Sequence, residues 1–180
     1  DGGVLQGATR IPGDFALENV ADGAVCAQPA ETPLELRWSA SQDAWAYVNE
    51  TSIQGLGPIM AAVGVEVDDP LYLLGLSVSA ADTTIVFPGE FGLFNRFELD
   101  RTLAVTLQEG LPPGTSGDVT ITAVDRNYVN WERGGNFNPS GLVRVPSLRG
   151  AGTGVFSAVV VRRFAVASAA QGGDVLPAVP

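Results

Sequence analysis

The sequence contains no histidine and no lysine, so its ten basic residues are all arginine, and it has only one cysteine and one methionine. Without histidine, no side chain has an ordinary pKa near neutrality, which excludes Ser-His-Asp and Cys-His catalysis and imidazole metal sites. Without lysine, Schiff-base catalysis and lysine-based isopeptide crosslinks are excluded as well. Only carboxylate chemistry is left, and twenty carboxylates bring some pair together in almost any fold, so they favour no reaction. We therefore expect a protein that is not an enzyme.

The chain also lacks a basic surface and a long apolar run. Its net charge is −10 and its pI about 4.2, so there is no basic stripe to neutralise phosphates. This argues against nucleic acid and against an anionic membrane surface as partners. No run approaches the roughly 18 apolar residues of a membrane span. With 46% hydrophobic residues over 180 positions, the composition predicts one globular domain with a sizeable core.

The single cysteine, Cys26, has no partner for an internal disulfide. It is either a small buried hydrophobic residue or a thiol that pairs between molecules. The sequence begins with Asp1, and its only methionine is Met60. We therefore expect a processed product or a fragment, and removal of a signal peptide would explain this start.

The charges are divided unevenly along the chain. Residues 1–95 hold thirteen carboxylates and two arginines, whereas residues 96–180 hold seven carboxylates and eight arginines. Two interpretations stay open. Either the first half presents a solvated acidic face, or the acidic and basic ends meet head to tail in an assembly.

Alternation of apolar and polar residues predicts strands along most of the chain. The alternating segments are 34–38, 103–107 and 119–123, with further strand candidates at 84–87 and 155–161. The last candidate continues through Arg162 and Arg163 to Val166, and the paired arginines mark a bulge, a sheet edge or the point where the strand leaves the sheet. Single helical turns are expected at 14–20 and 59–63, because 22 glycines and 12 prolines interrupt longer helices. The pattern predicts an all-β sandwich.

Two stretches resemble fibronectin type III and related immunoglobulin-like domains. Residues 34–38, which end in Trp38, are followed by a turn and by the Ala-x-x-Tyr stretch at 44–48. Residues 111–115, followed by 119–125, are similar to the Leu-x-Pro-Gly-Thr approach to the sixth strand of that family. The resemblance implies an immunoglobulin-like antiparallel β-sandwich with extended termini, in which the tryptophan is buried.

The sequence departs from this family at two places. Gly117 and Asp118 stand where the family has a tyrosine after its Pro-Gly-Thr turn, so the corner hydrogen bond is missing and the exact topology is open. The stretch between Asn49 and Arg101 is longer than a plain domain allows, which predicts extra strands or a long insertion. The expected organisation is an N-terminal extension or first strands at 1–30, the β-sandwich at 31–168 and a C-terminal tail at 169–180.

The C-terminal part is similar to the ends of certain uncharacterised secreted surface lipoproteins of bacteria. The similarity lies in four short stretches, at 128–131, 138–141, 145–147 and 152–156. It implies a bacterial envelope protein that is secreted, extracellular or held at the cell surface. The lipid-bearing N-terminal cysteine of such proteins is not part of this sequence.

The densest candidate for a binding site is the polar and aromatic stretch from Asp125 to Gly141. As a loop, it would stack a sugar ring on an aromatic side chain while amides and a guanidinium bind the hydroxyl groups. The candidate ligand-binding residues are Asn127, Tyr128, Asn130, Trp131, Arg133 and Asn136. The alternative is a long connection whose aromatic residues cover the core and whose asparagines and glycines form turns.

Carboxylate-rich turns are the only metal-binding groups that the chain has in number, and hard oxygen ligands suit calcium. The candidate ligands are Glu66, Asp68 and Asp69 in one turn, and Asp125 in another. No complete EF-hand loop is present, so solvated turns are the alternative. Calcium is the one cofactor that the sequence suggests.

One further motif is weaker. The triplet from Asn49 to Thr51 matches a glycosylation acceptor, which is most often a chance match.

The terminal segments 2–11 and 175–180 are apolar enough to bind another surface. Val4, Leu5 and Ile11 would supply the contacts if the first segment added a strand to the sheet of a neighbouring copy. The alternative is that residues 2–11 form the first strand of their own sandwich.

Together, these features favour a non-enzymatic structural subunit of an extracellular or cell-envelope assembly, such as a filament or a surface layer. Copies of the chain would then form a homopolymer, held together by donated strands. The alternative is a secreted module that binds a glycan or a protein through residues 125–141.

Overall fold

Strands dominate the chain, and most of them belong to one sheet. The computed structural model describes residues 3–91, 100–133 and 145–169. The elements in this part of the chain are β1 (Leu5–Gln6), β2 (Val25–Gln28), β3 (Leu34–Arg37), β4 (Ala46–Gln54), α1 (Leu56–Ala62), β5 (Leu71–Leu76), β6 (Thr84–Phe87), α2 (Arg101–Glu109), β7 (Ser116–Val124), α3 (Arg126–Arg133), β8 (Arg149–Gly150) and β9 (Val159–Ser168). A mainly β fold is therefore confirmed.

The main sheet has five strands in the order β2-β9-β7-β4-β5. Its neighbours are antiparallel except for β2 and β9, which run parallel, so the expectation of a purely antiparallel sheet is wrong at this pair. Two smaller antiparallel pairs, β3 with β6 and β1 with β8, complete the described strands. Several packed sheets are compatible with a β-sandwich, while the immunoglobulin-like strand arrangement is not confirmed.

One face of the five-stranded sheet carries the main hydrophobic core. Side chains alternate along a strand, so the odd-numbered residues of β4, β5 and β7 point to this face together with the even-numbered residues of β9. The two helices α1 and α2 and the β3–β6 pair add apolar side chains to the same cluster, among them Leu36, Leu56, Met60, Phe87, Leu103 and Leu107.

Trp38 is buried in this core, as the family resemblance implies. Its ring meets Tyr47 edge to face, with centroids 5.3 Å apart, and Phe15 meets the same tyrosine at 5.8 Å. The Tyr47 hydroxyl accepts a hydrogen bond from the main-chain nitrogen of Ser41 at 2.8 Å. The aromatic cluster thus fixes the chain before β4 to the core.

The prediction of a strand at 103–107 is wrong, because these residues belong to α2. The Asp100 carboxylate accepts a hydrogen bond from the Thr102 nitrogen at 2.7 Å and so caps the helix. Leu103 and Leu107 are four residues apart and both buried, while Val105 between them is exposed. The helix ends at Gly110, whose φ of 122° favours glycine. Apolar residues at i, i+2 and i+4 fit a strand, but the pair at i and i+4 also fits one face of a helix.

Of the remaining predicted helices and strands, some are confirmed and others are wrong. Strand 84–87 is confirmed as β6, and the turn at 59–63 overlaps α1. The helical turn at 14–20 is wrong, since Leu17 instead forms an isolated bridge with Trp38. The strand predicted from 155 begins only at Val159. The stretch between Asn49 and Arg101 does hold the extra strands β5 and β6.

The paired arginines lie at a sheet edge. Strand β9 pairs with β2 only from Ala165 onward, and its register with β7 is continuous, so there is no bulge. At Arg163, β9 has no paired strand on the β2 side. The Asp22 carboxylate lies there instead and accepts a hydrogen bond from the Arg163 main-chain nitrogen at 2.8 Å. Arg162 points to the core face, where its Nε donates to the Phe15 carbonyl at 2.9 Å and its guanidinium pairs with Asp14. These contacts tie the N-terminal segment to β9.

Candidate functional site

The stretch predicted as a binding loop begins with a helix. Residues 126–133 form α3, so the loop interpretation is wrong for them. Asp125 is buried, and its carboxylate accepts from the Tyr128 nitrogen at 2.9 Å, which is the arrangement of a helix N-cap. The same carboxylate accepts a hydrogen bond from the Thr9 hydroxyl. A residue proposed as a calcium ligand thus anchors α3 and the N-terminal segment.

A polar cleft lies between α3, the N-terminal segment and β8. Its volume is about 910 Å³, and its polar lining includes Gln6, Asn127, Asn130, Ser147 and Arg149. Two of the predicted ligand-binding residues, Asn127 and Asn130, are therefore brought together. The Asn127 amide, however, donates to the carbonyls of Ala8 and Phe156 at 2.8 and 2.9 Å, so both of its N–H groups hold the cleft walls together.

The other predicted ligand-binding residues lie elsewhere on α3. Tyr128 is half-buried and packs on the second face of the sheet, beside the cluster that Val129 enters. Burial raises the pKa of the Tyr128 phenol, and the nearby carboxylates of Glu132 and Glu50 raise it further. Arg133 donates to the Val78 carbonyl at 3.1 Å. Trp131 is half-buried, and Asn136 lies outside the described residues.

A second cleft, of about 540 Å³, adjoins the first at Asn127. Trp45 forms part of its wall, and the guanidinium of Arg126 lies 5.2 Å from the centre of the Trp45 ring. Arg10 pairs with Asp43 at 3.0 Å on the same rim, where both side chains are exposed. Sequence reasoning missed this cleft, because Trp45 and Arg126 are 81 positions apart and only the fold brings them together.

The carboxylates proposed for calcium do not form one centre. Asp69 accepts hydrogen bonds from the nitrogens of Gly55 and Gly57 at 2.9 and 3.1 Å, and thereby holds the start of α1. Glu66 and Asp68 are exposed. The start of α1 and Asp125 lie at opposite ends of the nine-residue strand β4, about 30 Å apart. Within the residues that the structure describes, no group of three or more Cys, Asp or Glu is placed to hold a metal ion.

The N-terminal segment pairs with its own molecule through a very short ladder. Strand β1 joins β8 over two residue pairs, Leu5 with Gly150 and Gln6 with Arg149. The apolar side chains proposed for assembly stay largely in solvent: Val4 is 70% exposed, Leu5 51% and Ile11 70%. The described chain therefore leaves these three apolar side chains largely uncovered.

Cys26 and Asn49 are the two smaller questions raised by the sequence. Cys26 is half-buried against the main core, and burial raises the pKa of its thiol. Asn49 of the glycosylation motif is buried in the middle of β4, and its side-chain oxygen has no hydrogen-bond partner among the described residues.

Comparison of the chain with protein-family models, with curated proteins and with solved structures finds no match. Among the described residues, none of the helices is long and apolar enough to cross a membrane.

Proposed function

We propose that this protein is a non-enzymatic structural subunit of an extracellular or cell-envelope assembly, in which copies of the chain associate through the N-terminal segment. The observation that carries the proposal is the exposure of Val4, Leu5 and Ile11 on a segment whose strand pairing with its own molecule is limited to two residue pairs. Three exposed apolar side chains within eight residues of chain are suited to an interaction surface.

Exchange of this segment between copies is energetically accessible. Releasing it breaks the two-pair ladder of β1 and the contacts of Ala8, Thr9 and Arg10 with Asn127, Asp125 and Asp43. A hydrogen bond contributes about 0.5–1.5 kcal/mol net, so the release costs several kcal/mol. A longer ladder on the sheet edge of a neighbour would offset that cost. Burial of the apolar side chains against the neighbour would stabilise the exchanged form further. Since the chain has no lysine, such an assembly is either non-covalent or uses the single thiol of Cys26.

Electron microscopy of the native protein in negative stain, with a charged variant of the segment, tests this proposal. We would replace both Leu5 and Ile11 by aspartate rather than delete the segment, because Pro12 is buried and Thr9 contacts the buried Asp125. Filaments or sheets should form with the native chain and be lost with the variant. Val63→Asp, at an exposed valine after α1 and away from both sheet edges, is the control and should still assemble.

Two outcomes would overturn the proposal. One is a native protein that is strictly monomeric at every concentration. The other is assembly that persists unchanged in the Leu5→Asp, Ile11→Asp variant.

A second candidate function, a secreted glycan-binding module, is favoured by the polar cleft beside α3. Asn130, Gln6 and Arg149 supply polar groups to it, whereas the Asn127 amide N–H groups are already engaged. Binding on a glycan array that is lost in Asn130→Ala, but retained in Arg133→Ala, would support it. A chain that binds no glycan would remove this candidate.

Calcium is proposed only for the exposed turn with Glu66 and Asp68, since Asp69 and Asp125 already accept main-chain or hydroxyl hydrogen bonds. If an ion stabilises this turn, a chelator lowers the melting temperature and added calcium restores it. Glu66→Gln should abolish the response. An unchanged melting curve would remove calcium from the proposal.

A further inference from the structure

The free edge of β5 has a defined pattern of main-chain groups. The nitrogen of Ser77 donates to the Tyr47 carbonyl at 2.8 Å, in register with the six pairs that join β4 and β5. Because narrow and wide pairs alternate in an antiparallel ladder, the odd-numbered residues of β5 bond to β4. The N–H and C=O groups of Tyr72, Leu74 and Leu76 therefore point away from β4, and β5 ends the described sheet on this side.

Nothing in β5 itself protects this edge. Natural edge strands are commonly blunted by charged residues, proline or a bulge. The six residues of β5 include no charge and no proline, and their register with β4 is continuous. Tyr72 is 68% exposed. The opposite edge strand, β2, is shorter, with four residues. An uncharged, regular, apolar edge of this kind is suited to pairing with another strand.

We propose that β5 pairs antiparallel with β5 of a second copy about a two-fold axis at Leu74, which joins two five-stranded sheets into one. In this register Leu74 faces the partner's Leu74, and Tyr72 faces the partner's Leu76. Every outward main-chain group then meets an outward group of the partner, which gives about six hydrogen bonds. This inference rests on the self-association proposed above and adds a second contact, distinct from the N-terminal segment.

The neighbouring residues favour this register over its alternatives. A shift of two residues in one direction brings Pro70, which has no N–H group, into the hydrogen-bonding position opposite the partner's Leu76. A shift in the other direction moves the ladder past Leu76, where the strand ends. In the central register Asp69 faces the partner's Ser79, so the acidic turn before β5 does not meet its own copy. Tyr and Leu then lie side by side on one face, as apolar cross-strand pairs do.

The β5 contact and the N-terminal contact have different consequences for assembly. The β5 contact closes on itself and yields a dimer only. A filament needs a second contact, for which the N-terminal segment is available. The two contacts can therefore be tested separately.

Disulfide trapping tests the β5 pairing directly. In a Cys26→Ala background, Leu74→Cys places one thiol on each side of the axis, where facing Cα atoms lie about 5.5 Å apart, within disulfide range. Under mild oxidation we expect covalent dimers to form at least about tenfold faster than with Val25→Cys. Val25 lies on the other edge of the same sheet and is 71% exposed, so a random collision would favour the control.

Sedimentation equilibrium of the chain without added cysteines is the second measurement. We expect a concentration-dependent dimer that Tyr72→Lys weakens at least about tenfold and that Val63→Lys, an exposed site after α1, leaves unchanged. Circular dichroism checks that both variants are folded. A native chain that stays monomeric, or equal trapping rates for Leu74→Cys and Val25→Cys, overturns the inference.

The other occupant of this edge is the N-terminal segment of a second copy. Mixing Leu74→Cys with Leu5→Cys protein distinguishes it: a dominant 74-to-5 crosslink overturns the two-fold pairing and assigns the edge to the donated segment. Trapping at Leu74 in a protein that never forms filaments would leave this inference standing while the filament proposal fails. If filaments form normally in Tyr72→Lys and Leu74→Cys is not trapped, the β5 inference fails while the filament proposal stands.

Discussion

Gly110 shows how one residue connects α2 to the rest of the core. Its φ of 122° is favourable for glycine alone, and a Cβ atom placed there would lie 2.5 Å from the main-chain nitrogen of Thr32. Both the conformation and the space therefore require glycine. Gly64, after α1, also has a positive φ, of 82°, but nothing lies within 4 Å of its would-be Cβ. A side chain at Gly110 therefore carries a steric cost in addition to a conformational one, whereas at Gly64 it carries a conformational cost alone.

Gly110→Ala should lower the free energy of unfolding by several kcal/mol, because the main chain has to move away from Thr32 as well as adopt a strained conformation. Gly64→Ala should cost only about 1 kcal/mol, the conformational part. Urea denaturation of both variants measures the difference. Equal losses would mean that the contact with Thr32 is relieved without cost.

Tyr128 gives a pH dependence at the residue scale. Burial and the nearby Glu132 and Glu50 carboxylates raise the pKa of its phenol in the folded state. A raised pKa favours the neutral phenol, so this contribution to stability is present below the unfolded pKa of about 10 and is lost as the pH rises through the folded value.

We therefore expect the free energy of unfolding to fall above about pH 10, and Tyr128→Phe to make that fall less steep. Denaturation between pH 8 and pH 11 measures it, with Tyr72→Phe as the exposed control. The same slope in the native chain and in Tyr128→Phe would contradict this account.

At the scale of elements, α2 is the clearest test of periodicity. In a strand, residues 103, 105 and 107 would share one face, whereas in α2 only Leu103 and Leu107 are buried. Leu103→Ala and Leu107→Ala should each cost about 2–5 kcal/mol. Val105→Ala should be close to neutral, because Val105 is exposed and alanine is the better helix former. A large loss at Val105 would instead favour the strand.

Strand periodicity and turn residues predicted β3, β6, the central part of β7 and the mainly β class. The errors lie where a short apolar alternation is compatible with both periods, as at 103–107, and there the Asp100 cap and Gly110 were the signals that decide for a helix. The parallel pairing of β2 with β9 was not predictable, because it joins residues about 140 positions apart without a local turn. The second cleft was missed for the same reason.

At the scale of the whole molecule, the net charge of −10 destabilises the compact state through repulsion between carboxylates. Four described ion pairs offset little of it, since most of their side chains are exposed. Raising the salt concentration from about 0.01 M to about 1 M shortens the Debye length from about 30 Å to about 3 Å. Sodium chloride should therefore raise the melting temperature.

A variant with fewer exposed carboxylates provides the control for the salt effect. Glu66→Gln combined with Asp68→Asn removes two charges from one exposed turn. The rise in melting temperature with salt should be smaller in this variant than in the native chain. The same rise in both would point to a general salting effect on apolar surface instead.

The burial of Asn49 in the middle of β4 affects the choice of a host in which to produce the protein. In a eukaryotic secretory pathway, an Asn-Glu-Thr triplet is offered to the glycosylation machinery while the chain is still extended. Asn49 points to the core face of the sheet and is buried, so an attached oligosaccharide has no room there, and glycosylation and formation of the packed sheet exclude one another. In such a host, glycosylation of Asn49 therefore competes with folding of β4. In a bacterial host, or with the Asn49→Gln chain, this glycosylation does not occur.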